Sequence, residues 1–127
     1  MTDKQYAETF NVTNKDCISE IDSALPNLLG TYILVKWMEI VSAKNINRQL
    51  DQQYISVGQK ISIEHTDMVK LGEKVQIIST IQDKGKRNVL FKIDAISDGK
   101  LIASASHHRM IIPTKIISRL FNRDKNH

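Results

Sequence analysis

The 127-residue chain has a single cysteine, Cys17, which cannot close a disulfide within the chain. Its first residues, MTDKQYAETF, lack the apolar stretch of a secretory signal, so the expected compartment is the cytoplasm. Long apolar runs are missing as well. The longest, Tyr32 to Val35, stops at Lys36, far short of the roughly 20 residues that cross a bilayer, so no membrane span is expected. CxxC, HExxH, GxGxxG, P-loop and GxSxG patterns are absent, which removes support for zinc, dinucleotide and nucleophile-elbow chemistry. The four histidines make a poor metal set, because His107 and His108 would point to opposite faces of one strand and His127 is terminal. No metal is therefore expected.

The net charge is +4, but much of the excess follows Pro113, where Lys115, Arg119, Arg123 and Lys125 face only Asp124. Without a basic stripe interleaved with aromatics, that tail reads as solvated, and no nucleic-acid partner is expected. A moderate positive charge also suits a phosphate-bearing ligand. At 41% apolar residues the chain fits one domain over 1–127, with 114–127 as a basic tail or short helix.

The central stretch is LLGTYILVKWMEIVSAK, residues 28–44, apolar on nearly every side. That pattern predicts a core helix from about 28 to 45 with Trp37 and Met38 buried. Asn27 and Thr31 compete as its N-cap. Before it, Tyr6 to Thr13 reads as an edge strand and Asn14 to Pro26 as a loop with a helical turn lying over the site. After a polar connection over Asn45 to Gln53, the apolar period becomes two. Strands are predicted from Tyr54 to His65, around Val75 to Ile81, from Val89 to Ala95 and from Leu101 to Ile112. Gly58 marks a bulge or a close approach within the first of these, and Asp98-Gly99 is a type I′ hairpin turn. Ile116, Ile117, Leu120 and Phe121 recur at helical spacing in the tail. One long helix followed by about four antiparallel strands makes an α+β domain with the helix against a curved sheet.

Glu39 sits within the apolar helix, where a carboxylate needs a partner or a use. On pattern alone the simpler account is an ion pair with Lys36, three residues earlier. Thr31, His65 and the His107-His108 pair are the other polar residues in apolar surroundings.

The pieces GTYILVKWME, SVGQKISIEHT, VKLGEKV and SHHRMII resemble the fluoroacetyl-CoA thioesterase-like branch of the hot-dog-fold acyl-CoA thioesterases. Thr31, Glu39, Ser56, Gly58, His65 and Gly72 follow that family's pattern in order and without a gap. The resemblance spans roughly residues 25–112 and implies a hot-dog fold, a sheet wrapped round a central helix. It also implies an acyl-CoA thioesterase, with coenzyme A as part of the substrate and no separate cofactor. The assembly it implies is a homodimer, or a higher oligomer built on it, with sites at the dimer interface. Carried over by position, Thr31, Glu39 and His65 serve hydrolysis, while Gly58, Ser56 and Tyr32 bind substrate. The family often has proline after the threonine; here Tyr32 stands there, and Tyr32 and Trp37 are expected to narrow the acyl pocket.

These residue types suit acyl transfer to water. Burial makes a carboxylate a stronger base, so Glu39 would act as general base or as nucleophile, with His65 orienting water or protonating the thiolate. Thr31 or a backbone N–H would hold the oxyanion. Eight helical residues set Thr31 and Glu39 about 12 Å apart along the axis, so either the chain folds back before the helix or the substrate bridges them. The alternative reading is a non-catalytic acyl-CoA-binding or ligand-sensing module; a hot-dog dehydratase is weaker, since its Asp-His pair is missing.

Overall fold

A computed structural model describes residues 3–125, with side chains described as far as 122. Strand β1 (Gln5–Asn11) leads through two single 3₁₀ turns to helix α1 (Thr31–Asn47). Strands β2 (Tyr54–His65), β3 (Lys74–Lys84), β4 (Asn88–Ser97) and β5 (Lys100–Pro113) follow, and helix α2 (Thr114–Lys125) ends the described chain. The five strands form one antiparallel sheet in the order β1-β3-β4-β5-β2, so β1 and β2 are its edges. The Asp98-Gly99 turn has positive φ at both residues, 51° and 74°, as a type I′ hairpin requires.

Helix α1 packs against β1, β2 and β3 and supplies much of the core. Leu34, Met38, Val41 and Ile46 are fully buried, and Trp37, also buried, stacks on Phe10 of β1 with ring centroids 4.7 Å apart. The helix starts three residues later than the apolar pattern predicts. Leu28 and Leu29 are spent instead on β-bridges with Lys70 and Cys17, and Leu29 N–H donates to the Val69 carbonyl. Gly30 is the N-cap, so neither Asn27 nor Thr31 caps the helix, and the Thr31 side chain is free for another use. The loop before it is tied down at this point, because Gly30 N–H donates to the Asp16 carbonyl.

On β5, residues 103, 105, 107, 109 and 111 point inward, as strand alternation requires, and all five are buried. Their partners on β2 are His65, Ile63, Ile61, Gly58 and Ser56. The numbering jumps because the register shifts between Gly58 and Lys60. This bulge puts even-numbered Ser56 and Gly58 on the same face as odd-numbered Ile61, Ile63 and His65.

Candidate active site

Two polar clusters lie along the face of α1 that meets β2. The first is at the helix start. Thr31 is the first helical residue and His65 the last of β2, and Thr31 Oγ1 lies 2.9 Å from His65 Nδ1. The other ring nitrogen, His65 Nε2, is buried without a hydrogen-bond partner among the described residues. The helix supplies further donors here, since its first backbone bonds run from Ile33 and Leu34 to the Gly30 carbonyl, leaving Thr31 and Tyr32 ahead of the ladder. The partial positive charge of a helix N-terminus adds to this. A cavity of about 220 Å³ opens beside His65, Thr66, Asp67 and Met68. Tyr32 is 45% exposed, its ring folded over Gly30 so closely that a Cβ there would stand 2.5 Å from it.

The second cluster surrounds Glu39, two helical turns on. Its Oε1 lies over Gly58, where a Cβ would come within 2.5 Å of it. Only glycine leaves that space, which is the physical content of Gly58 in this strand. The same point is 3.5 Å from Arg109 Nη1 and 3.5 Å from His107 Cε1. Arg109 is held by Ser56, with Nε donating to Ser56 Oγ at 3.0 Å and Nη2 to the Ser56 carbonyl at 3.1 Å. Its Nη1 is 3.2 Å from His107 Nε2, and His107 Nδ1 is 2.8 Å from the Lys60 carbonyl. Burial pulls the Arg109 guanidinium down from its ordinary value, against the raising effect of the Glu39 charge.

Several expectations change here. Glu39 is half-buried rather than enclosed, because its side chain reaches the edge strand. The Lys36 pair does not form: Lys36 is exposed, and the salt bridge found among the described residues is Lys44 to Glu8. Trp37 is committed to Phe10 on the β1 side of the helix, so it cannot narrow a pocket on the β2 side. Ser56 spends its hydroxyl and carbonyl on Arg109. Thr31 and His65 are brought together, while Glu39 lies over Gly58 and faces Arg109. Sequence reading missed Arg109 and set His107 aside as a poor metal ligand. The available signal was their inward register on a strand whose other inward residues, Ala103, Ala105 and Ile111, are apolar.

A five-stranded antiparallel sheet packed on one long helix is the hot-dog fold, and the family match makes the chain a thioester hydrolase of that fold. The chain belongs to the family described as fluoroacetyl-CoA-specific thioesterase, whose profile matches residues 12–115. Comparison with curated proteins finds no match. Among solved structures, a hypothetical protein of Thermus thermophilus, described as a thioesterase superfamily member, is similar at TM-score 0.87 and 21% identity, covering 96% of this chain and 90% of that one. A hot-dog-like protein of Thermanaerovibrio acidaminovorans is similar at TM-score 0.85 and 18% identity, covering 94% and 89%. The fluoroacetyl-CoA thioesterase FlK is similar at TM-score 0.84 and 17% identity, covering 94% and 93%. At these identities the likeness is one of fold.

Proposed function

We propose that this hydrolase splits acyl-CoA thioesters at a site shared between two copies of the chain, as a cytoplasmic homodimer, with Glu39, His65 and Thr31 as its working residues. The observation that carries this reading is the Nε2 of His65 beside Thr31, buried and without a partner among the described residues. With the Thr31 hydroxyl donating to Nδ1, the ring holds its proton on Nε2, a donor aimed where a thioester oxygen would sit. Glu39 takes a proton from water as the water oxygen bonds to the carbonyl carbon. The oxyanion is held by His65 Nε2–H and the first amides of α1. When the C–S bond breaks, the thiolate takes the proton from Glu39, leaving a carboxylic acid product and free coenzyme A.

The case for a second copy is distance. Thr31 and Glu39 are about 12 Å apart along the helix. Along β2, His65 lies seven positions beyond Gly58, on the order of 20 Å, and neither span fits one carbonyl group. Among the described residues strand β2 is an edge of the sheet and pairs on one side, with β5. An antiparallel pairing with a second β2, centred near Ile61 and Ser62, sets the Gly58 end of one chain against the His65 end of the other. The exposed apolar side chains at this end, among them Ile21, Tyr32 and Met68, suit an acyl group or a covering partner.

Complementation tests this reading. Glu39→Gln and His65→Ala homodimers should each lose about 10²-fold or more in kcat for acyl-CoA hydrolysis. Exchanging subunits between them should then restore about a quarter of wild-type activity, since half the dimers are mixed and each mixed dimer has one intact site. No recovery after verified exchange would place the residues of a site in one chain. Undiminished hydrolysis by Glu39→Gln would end the assignment.

A further inference from the structure

His107 has no role in the steps above, yet it is fully buried at 0% exposure. A buried imidazole has two polar nitrogens to satisfy, and both are satisfied here. The Lys60 carbonyl can only accept and the Arg109 guanidinium can only donate, so the two contacts determine the ring's state. Nδ1 carries the proton and Nε2 offers a lone pair to Arg109 Nη1. A second proton on Nε2 would set donor against donor and cation against cation. Burial first, and then the Arg109 charge, lowers the His107 pKa and keeps the ring neutral.

Arg109 is thereby fixed from two directions, by Ser56 on β2 and by His107 on its own strand. Its charge faces Glu39 across the space above Gly58 without a salt bridge within 4.0 Å among the described residues. We infer that His107 is a positioning residue for the carboxylate chemistry: its Nε2 lone pair holds the Arg109 guanidinium facing Glu39, and its Nδ1–H pins the Lys60 carbonyl, hence the bulge that opens the space over Gly58. The inference rests on the role proposed for Glu39. The groups around the ring are few. Helix α1 presents Glu39, β5 presents Arg109 and, on the opposite face, His108, β2 presents the Lys60 carbonyl, and β4 presents the Phe91 ring, 6.0 Å away.

Two variants separate the two bonds. His107→Asn places an amide near Nδ1 and keeps only the Lys60 link; His107→Gln places one near Nε2 and keeps an acceptor for Arg109. The Asn variant should lose about tenfold in kcat with little change in KM, and the Gln variant should recover most of that loss. A merely structural role would lower the folded fraction of both and leave kcat per folded site equal, which overturns the inference.

Nitrogen-15 NMR of the wild-type protein supplies a readout independent of turnover. The ring should be the neutral Nδ1–H tautomer at pH 7, and the Arg109 guanidinium signals should be resolved, merging in the Asn variant as rotation is freed. A ring protonated on Nε2 at pH 7 overturns it. If the wild-type protein hydrolyses no acyl-CoA, the function proposed above fails, and the NMR result still decides whether His107 holds Arg109.

Discussion

Helix α1 meets polar groups toward both ends, and the two ends treat them differently. Toward its C-terminus, Ser42 Oγ lies 3.0 Å from Ser79 Oγ, and Asn45 Nδ2 donates to the carbonyls of Ser79 at 3.0 Å and Lys4 at 3.1 Å. Arg48 closes the circuit, donating to Asn45 Oδ1 at 2.8 Å while its guanidinium lies over Tyr6. These groups are satisfied by the protein itself, and their effect is to lock the helix onto β1 and β3. Toward the other end, His65 Nε2 is buried without a partner among the described residues, and Glu39 lies over a glycine. Desolvating polar atoms without pairing them costs stability, so a fold keeps them where a bound molecule completes the set. Within one helix, closed circuits hold and open ones act.

That contrast can be broken at the open end first. Gly58→Ala places a methyl group 2.5 Å from Glu39 Oε1, against the flexible end of the side chain. The carboxylate should swing aside at small cost in stability, while kcat falls by about 10²-fold. A thermal melt and steady-state kinetics on the same sample check both halves, and a variant that melts early but keeps its kcat would make Gly58 a structural glycine.

The closed end should show the reverse. Asn45→Ala strands two backbone carbonyls and Arg48, so unfolding free energy should drop by about 2 kcal/mol or more. Activity per folded molecule should be unchanged; denaturant titration and kinetics at low temperature measure the two separately.

The smallest effect concerns pH. His107 has its pKa held below the ordinary 6.5 in the folded protein, so below pH 6.5 the unfolded chain binds the proton more readily. The stability linked to the neutral ring is complete above pH 6.5 and lost as pH falls. The wild-type Tm should therefore drop more than that of His107→Gln between pH 7 and about pH 5.5. Parallel curves for the two proteins would remove His107 from the linkage.

The sequence made the elements legible and left their meetings largely hidden. All-round apolarity identified the interior of α1, Asp98-Gly99 identified its hairpin, and Gly58 proved to be both a bulge and a close approach. The helix start moved because Leu28 and Leu29 form bridges to distant backbone, a pairing that no local pattern encodes. Thr31, Glu39 and His65 were visible as polar residues in apolar stretches and through a family resemblance. Arg109 was not, because its meaning depends on the β2–β5 register, which sets it opposite Gly58. His107 needed the same register to find Lys60.

The bulge between Gly58 and Lys60 makes β2 a counted segment. A surface loop tolerates a residue more or less, but here one surplus residue sets the parity of everything downstream. Removing Gln59 would leave a regular strand with the same residues facing inward, whereas removing Ser62, beyond the bulge, would turn Ile63 and His65 to solvent. The Ser62 deletion would look almost unaltered as text, yet the helix would lose Ile63 from its apolar floor and Thr31 its imidazole. Lineages descending from such a protein can therefore lengthen its hairpins or lose the bulge residue, whereas a one-residue change elsewhere within β2 needs a second one to restore the phase.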